Sequence, residues 1–212
     1  NNFKYHSDHG FNPGTVTLSV PGNTRITYGC CTYGSDVTVT DATGNATVIP
    51  QIAACYKNGA ENVASGLYVG EATTLTITGG VVIASGTTSP EDGFDCDQNT
   101  FKITGGIVLG IGGGTSTPTS SVCTQRSVIY GGSGSNGEIL NIQSADGTNV
   151  LTYQIPRNYS QMTLLFSSPN LASGGSYTIS KGGSVSGGSE FFGLYTGSSY
   201  SGGTQAATFT AG

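Results

Sequence analysis

Four carboxylates crowd into seven residues of this chain: Glu91, Asp92, Asp95 and Asp97. Anions this close repel one another, and a cation is the natural remedy. Calcium takes six to eight oxygen ligands, which carboxylates and the carbonyls of a turn can supply. That chemistry points to calcium as cofactor, with Asp92, Asp95 and Asp97 as its ligands. The competing reading is an exposed acidic turn that stops a sheet from growing sideways. Lys102, close by in sequence, is a contact for an anionic ligand or the ion-pair partner of a neighbouring acid. His6, Asp8 and His9 also mix donors that a divalent ion accepts, but one short cluster reads first as a solvated arm.

The acids sit inside a unit written twice. Leu75-Thr76-Ile77-Thr78-Gly79-Gly80-Val81-Val82-Ile83-Ala84 returns 26 residues later as Phe101-Lys102-Ile103-Thr104-Gly105-Gly106-Ile107-Val108-Leu109-Gly110. Upstream of each copy lies a shorter partner, Gly66–Gly70 and Gly93–Asp97, offset by 27. A period of this length with β-branched alternation is one winding of a solenoid. Period two then sends Phe94, Cys96, Phe101 and Ile103 inward and Asp95, Asp97 and Lys102 outward. In the first copy Leu67, Val69, Leu75 and Ile77 point in, and Tyr68 points out. Stacked windings place Tyr68 about 4.8 Å from Asp95. A ring beside carboxylates suits a sugar or a calcium ion. Of the tyrosines that could stack on sugars (Tyr56, Tyr68, Tyr130, Tyr153, Tyr195 and Tyr200), only Tyr68 is placed outward by the repeat, so Tyr68 and Lys102 are the expected carbohydrate contacts.

The run Asp92-Gly93-Phe94-Asp95-Cys96-Asp97, followed by Phe101-Lys102-Ile103-Thr104-Gly105-Gly106, resembles a rung of the bacterial carbohydrate-binding, calcium-containing parallel β-helix family. That family is distantly similar to β-helical polysaccharide lyases. The likeness extends through Gly112–Ser120 to Gly193-Leu194-Tyr195-Thr196-Gly197 and Tyr200-Ser201-Gly202-Gly203, covering roughly residues 57 to 212. Cys96 and Asp97 replace the family's usual Ser and Asn, and this chain has fewer rungs than longer members. The resemblance implies an all-β fold, a short right-handed parallel β-helix with a C-terminal β-rich lobe and almost no helix.

Composition agrees with a β protein. Only 9% of residues are charged, 35 are glycine, and the 35% that are hydrophobic suffice for a core. No stretch has 3.6-residue periodicity. A net charge of -5 with seven Lys and Arg builds no basic face for nucleic acid, and no apolar run is long enough to span a membrane. The start Asn1-Asn2-Phe3-Lys4 suits a processed, secreted chain. Cys30, Cys31, Cys55, Cys96 and Cys123 fit no zinc spacing; secretion favours disulfides, and the odd count leaves one thiol over.

The chain divides into an N-terminal arm (1–14), β-strands leading into the β-helix rungs (15–114), a connector (115–121) and a C-terminal β lobe (122–212). Within the lobe, Ser127–Tyr130, Ile139–Ile142, Val150–Ile155 and Met162–Phe166 read as strands, with a turn at Ala145-Asp146-Gly147. Ser184-Val185-Ser186-Gly187-Gly188 recurs as Ser199-Tyr200-Ser201-Gly202-Gly203.

Three functions remain open. The first is a secreted, non-catalytic binder of polysaccharide, of an acidic glycan or a β-glucan, stabilised by calcium. The second is a structural subunit of an extracellular filament or cell-surface assembly, self-associating through β-edges and the N-terminal arm. The third is a polysaccharide lyase with Lys102 as base. Without a second basic group beside Lys102, the expectation is that the protein is not an enzyme.

Overall fold

The computed structural model describes residues 75–96 and 99–212 in full. Before them it gives the backbone of β1 (Val16–Ser19), β2 (Ile26–Thr27), β3 (Val37–Thr40), β4 (Ala46–Ile49) and β5 (Leu67–Tyr68). Next come β6 (Leu75–Ser85), β7 (Phe94–Asp95), β8 (Phe101–Gly112), β9 (Ser127–Gly134), β10 (Ile139–Ser144), β11 (Asn149–Gln154) and β12 (Tyr159–Ser167). The chain ends with β13 (Ser176–Lys181), β14 (Ser184–Ser186), β15 (Ser189–Phe191), β16 (Leu194–Thr196), β17 (Ser199–Ser201) and β18 (Thr204–Thr210). The protein is all-β, with no helix among the described residues.

The repeat in the sequence is a parallel ladder in space. Leu75 pairs with Phe101 and Ile77 with Ile103 in β6 and β8, while Leu67 pairs with Phe94 and Tyr68 with Asp95 in β5 and β7. Alternation sorts the side chains as period two requires. Leu75, Ile77, Phe94, Cys96, Phe101 and Ile103 are buried in one core, whereas Thr76 and Thr78 are exposed and Asp95 and Lys102 half-buried. Phe94 and Phe101 lie at 0% exposure with ring centroids 5.2 Å apart. Burial of each ring contributes about 1.5–3 kcal/mol.

Both long strands change direction at their Gly-Gly pairs. Gly80 and Gly106 have φ of 77° and 90°, and a Cβ on Gly106 would come within 2.7 Å of the Gly79 carbonyl carbon, so only glycine allows the two backbones to turn together. The ladder shifts register there, and the inward parity switches. Beyond the corner Ala84 and Val108 face the first core, with Val82 packed against it. Their neighbours Ile83, Leu109 and Ile111 face a second core.

That second core lies between two sheets. One is five-stranded, in the order β2-β6-β8-β12-β9, parallel from β2 to β8 and antiparallel beyond. The other is six-stranded, in the order β15-β16-β11-β10-β13-β18. Leu140, Ile142, Leu151, Tyr153, Tyr177 and Ile179 of the six-stranded sheet meet Met162, Leu164 and Phe166 of β12.

The C-terminal serine-glycine repeat pairs with itself, Ser184 with Ser201 and Ser186 with Ser199. Gly-Gly corners with positive φ at Gly182, Gly183, Gly187 and Gly188 let this ribbon leave β13 and β18 and return as β15 and β16 beside β11. Asn141 and Thr152 alternate with core residues and so point away from the second core. They are nevertheless only 1% and 2% exposed, and they bond to each other at 2.9 Å. The ribbon covers this polar layer, and Asn149 donates to its Ser198 carbonyl at 3.3 Å.

Gly110 should tolerate no side chain, because a Cβ there would collide with the Phe94 ring. Gly110→Ala should cost about 1–3 kcal/mol, read as a lower urea midpoint. Gly131→Ala, with nothing within 4 Å of its added Cβ, should move the midpoint by no more than about 0.5 kcal/mol equivalent.

Candidate functional site

Asp95 lies on β7 itself, and Glu91 and Asp92 occupy the loop that links β6 to β7. Its base is fastened on both sides: Tyr159 donates its hydroxyl hydrogen to the Gly86 carbonyl at 2.8 Å, and Gly113 N–H donates to the carbonyls of Thr87 (3.0 Å) and Glu91 (2.8 Å). Asp92 forms a parallel bridge with Gly114, whose carbonyl accepts from Gly93 N–H at 3.1 Å. The carboxylates are therefore presented by a backbone tied to β8 and to the segment after it.

Asp92 is half-buried beside Glu91 and Asp95. Burial first, then the charge of Asp95, then that of Glu91, push its carboxyl from the ordinary 3.8 up to about 6. The three acids thus form one electrostatic unit. Among the described residues, no three His, Cys, Asp or Glu side chains already converge as a metal cage. What suits a hard cation is the donor chemistry, carboxylates strained by their own repulsion next to turn carbonyls. Asp97 lies outside the described residues.

The other expected site residues flank this loop. Tyr68 sits directly across the ladder from Asp95, although its side chain lies outside the described part. Lys102 is half-buried on β8, opposite Thr76. The single salt bridge among the described residues is elsewhere, between Lys181 and Glu138 at 3.4 Å, so the expected pairing of Lys102 with a neighbouring acid is not formed there. Tyr153 is 1% exposed within the second core and offers no face to a ligand. Tyr200 spends its hydroxyl on the Gly182 carbonyl at 3.1 Å. His6, Asp8, His9, Cys30, Cys31 and Cys55 lie outside the described residues. Among the described residues Cys96 and Cys123 form no disulfide with each other.

A trio absent from the expected site fixes its geometry. Ser116 Oγ accepts from Cys96 N–H at 2.8 Å, Thr119 Oγ1 from Phe101 N–H at 3.1 Å, and Cys123 Sγ from Ile103 N–H at 3.2 Å. In return Ser116 N–H and Thr119 N–H donate to the carbonyls of Phe94 (2.7 Å) and Phe101 (2.8 Å). Side chains spaced along residues 116–123 thereby stand in for a neighbouring strand. They satisfy the edge of β7 and the first half of β8, which burial would otherwise make costly. Their short polar side chains are the only sequence signal of this role.

Compared with protein-family models, with curated proteins and with solved structures, the chain gives no match.

Because the folded-state carboxyl of Asp92 titrates above its unfolded value, the folded protein binds the proton more tightly between about pH 4 and 6. Stability from this group is therefore greatest at low pH and falls as pH rises through about 6. In metal-free protein, Asp92→Asn should raise Tm at pH 7.5 by about 2–4 °C, equivalent to roughly 1 kcal/mol, and leave it unchanged near pH 4. Thermal scans at the two pH values check this, and a lower Tm at pH 7.5 would contradict it.

Proposed function

We propose that this protein is a secreted, non-catalytic polysaccharide-binding protein whose paired windings form a short parallel β-helix stabilised by calcium. One observation carries the reading: Asp92 is half-buried beside Asp95 and Glu91, and burial first, then the charges of those two acids, lift its carboxyl to about 6. Asp95 lies on a parallel ladder directly across from Tyr68, and Glu91 and Asp92 lie just before it in the chain. Glu91, Asp92, Asp95 and, in sequence, Asp97 would hold the ion. Calcium bound there would relieve the repulsion and supply a positive centre for the carboxylates of an acidic glycan. Lys102 on the next strand adds a second cationic contact, and the strand position of Tyr68 suits an aromatic face for a sugar ring. Resemblance to the carbohydrate-binding β-helix family supports the same reading. In the sequence no second basic group is locatable beside Lys102, which favours binding over lyase chemistry.

A second reading, a subunit of an extracellular assembly, draws on the sheet edges. Strand β9 ends the five-stranded sheet, carries no charged residue over Ser127–Gly134, and leaves Ile129 41% exposed. Such an edge is a template for pairing with another chain.

Affinity electrophoresis through gels containing polygalacturonate tests the first reading. Calcium should retard the wild-type protein, and EDTA should restore free mobility. Asp95→Asn should abolish the retardation, and Lys102→Ala should weaken it by about tenfold, the loss of one charge-assisted contact. No absorbance from unsaturated uronate should develop. Equal mobility with and without calcium would remove the proposal.

A further inference from the structure

Strand β9 ends the five-stranded sheet, whose other end is β2, and β12 is the one described strand paired with it. On the side away from β12, alternate residues of β9 turn an N–H and a C=O outward. Natural edges are commonly blocked by charge, by proline or by a bulge. Ser127–Gly134 contains no charged residue and no proline, and its register with β12 is unbroken from Ser127 to Gly132.

The two faces of the strand differ. Val128 and Tyr130 pack on the second core, so Ile129, Gly131 and Ser133 alternate to the other face. There Ile129 is 41% exposed, and a Cβ on Gly131 would have nothing within 4 Å. An exposed branched side chain thus stands beside an empty place on the same face of the same strand. Antiparallel pairing of β9 with itself, about a two-fold axis at Tyr130, would set Ile129 of each copy opposite Gly131 of the other. Val128 would then stand opposite Gly132, and Ser127 opposite Ser133. Arg126, the nearest charge, would stand opposite Gly134, so no like charges meet. Projection and gap are complementary in both directions at once, which is what an isologous contact requires.

We propose that β9 is a dimer interface, through which two copies of this chain join their five-stranded sheets edge to edge in that register. The proposal rests on the second reading above, the assembly subunit, and names its partner and its pairing.

Sedimentation velocity on the intact chain, across a wide concentration range, tests it. One strand pair is a small interface, so the wild type should move reversibly between monomer and a species of twice its mass. Ile129→Lys sets two ammonium groups diagonally across the two-fold axis and should raise the dimer Kd at least about tenfold; Gly131→Glu should do the same with two carboxylates. In the double variant Ile129→Lys/Gly131→Glu each lysine lies opposite a glutamate, and Kd should return to within about threefold of wild type. Because both positions are exposed, Tm on dilute protein should stay within about 2 °C of wild type for all three. A double variant no tighter than the single ones would overturn the register. A dimer untouched by either single change would overturn β9 as its seat. Both results leave an assembly subunit standing. A wild type that stays monomeric at every concentration would overturn the dimer and the assembly reading together, whereas growth into open-ended polymers would keep that reading and overturn the closed two-fold pair.

Discussion

The molecule depends on one shared wall. Beyond their Gly-Gly corners, β6 and β8 are covered on both faces: Ala84 and Val108 close the first core, and Ile83, Leu109 and Ile111 line the second. A strand buried on both sides needs apolar residues at successive positions, which is why Ile107-Val108-Leu109-Gly110-Ile111 abandons alternation. Gly110 belongs to the same logic, because the Phe94 ring fills the space a side chain would take. The two cores therefore share the wall, and a fault in it disturbs both at once.

From the wall follows the placement of the acids. A short ladder exposes backbone donors along its last strand. In this chain they are met by Ser116, Thr119 and Cys123, each a small side chain able to accept one hydrogen bond. The segment that does this also grips the acidic loop through Gly113 and Gly114. Closing the edge and holding the carboxylates together are thus the work of one stretch of chain. Relaxation of that loop, the ordinary escape from charge repulsion, would strip the hydrogen bonds it makes with Gly113 and Gly114.

Period-two alternation and an unchanged repeat length made the ladder legible in the sequence. Leu75 opposite Phe101, Tyr68 opposite Asp95, and the burial of Phe94 and Ile103 all follow from local pattern. The turn at Ala145-Asp146-Gly147 was legible for the same reason, since Asp146 accepts from Thr148 N–H at 3.0 Å and Gly147 takes φ of 85°. Features that depend on distant partners were hidden. Residues 115–121 are poor in apolar groups and read as a connector; their hydrogen-bonding role exists only once the edge of β8 is beside them. The serine-glycine repeat was visible, but its pairing with itself across a bent ribbon was not. Phe192-Gly193 carries no Asn-Gly signal, so the hairpin tip was invisible as a turn.

Charge is scarce in this protein, and its distribution sharpens the argument for the acidic loop. With 12 Asp and Glu against 7 Lys and Arg, a well-mixed surface would set each acid near a cation. Here the one described salt bridge is spent at Lys181 and Glu138, where Lys181 also donates to the Ser133 carbonyl at 2.7 Å and ties β13 to β9. Glu91 and Asp95 stand beside Asp92, and burial of Asp92 keeps water from screening the repulsion fully. An edge-blocking role would need the acids only to be exposed and charged. Half-burying one of them, at a cost to its ionisation, works against that role and gives a bound cation something to recover.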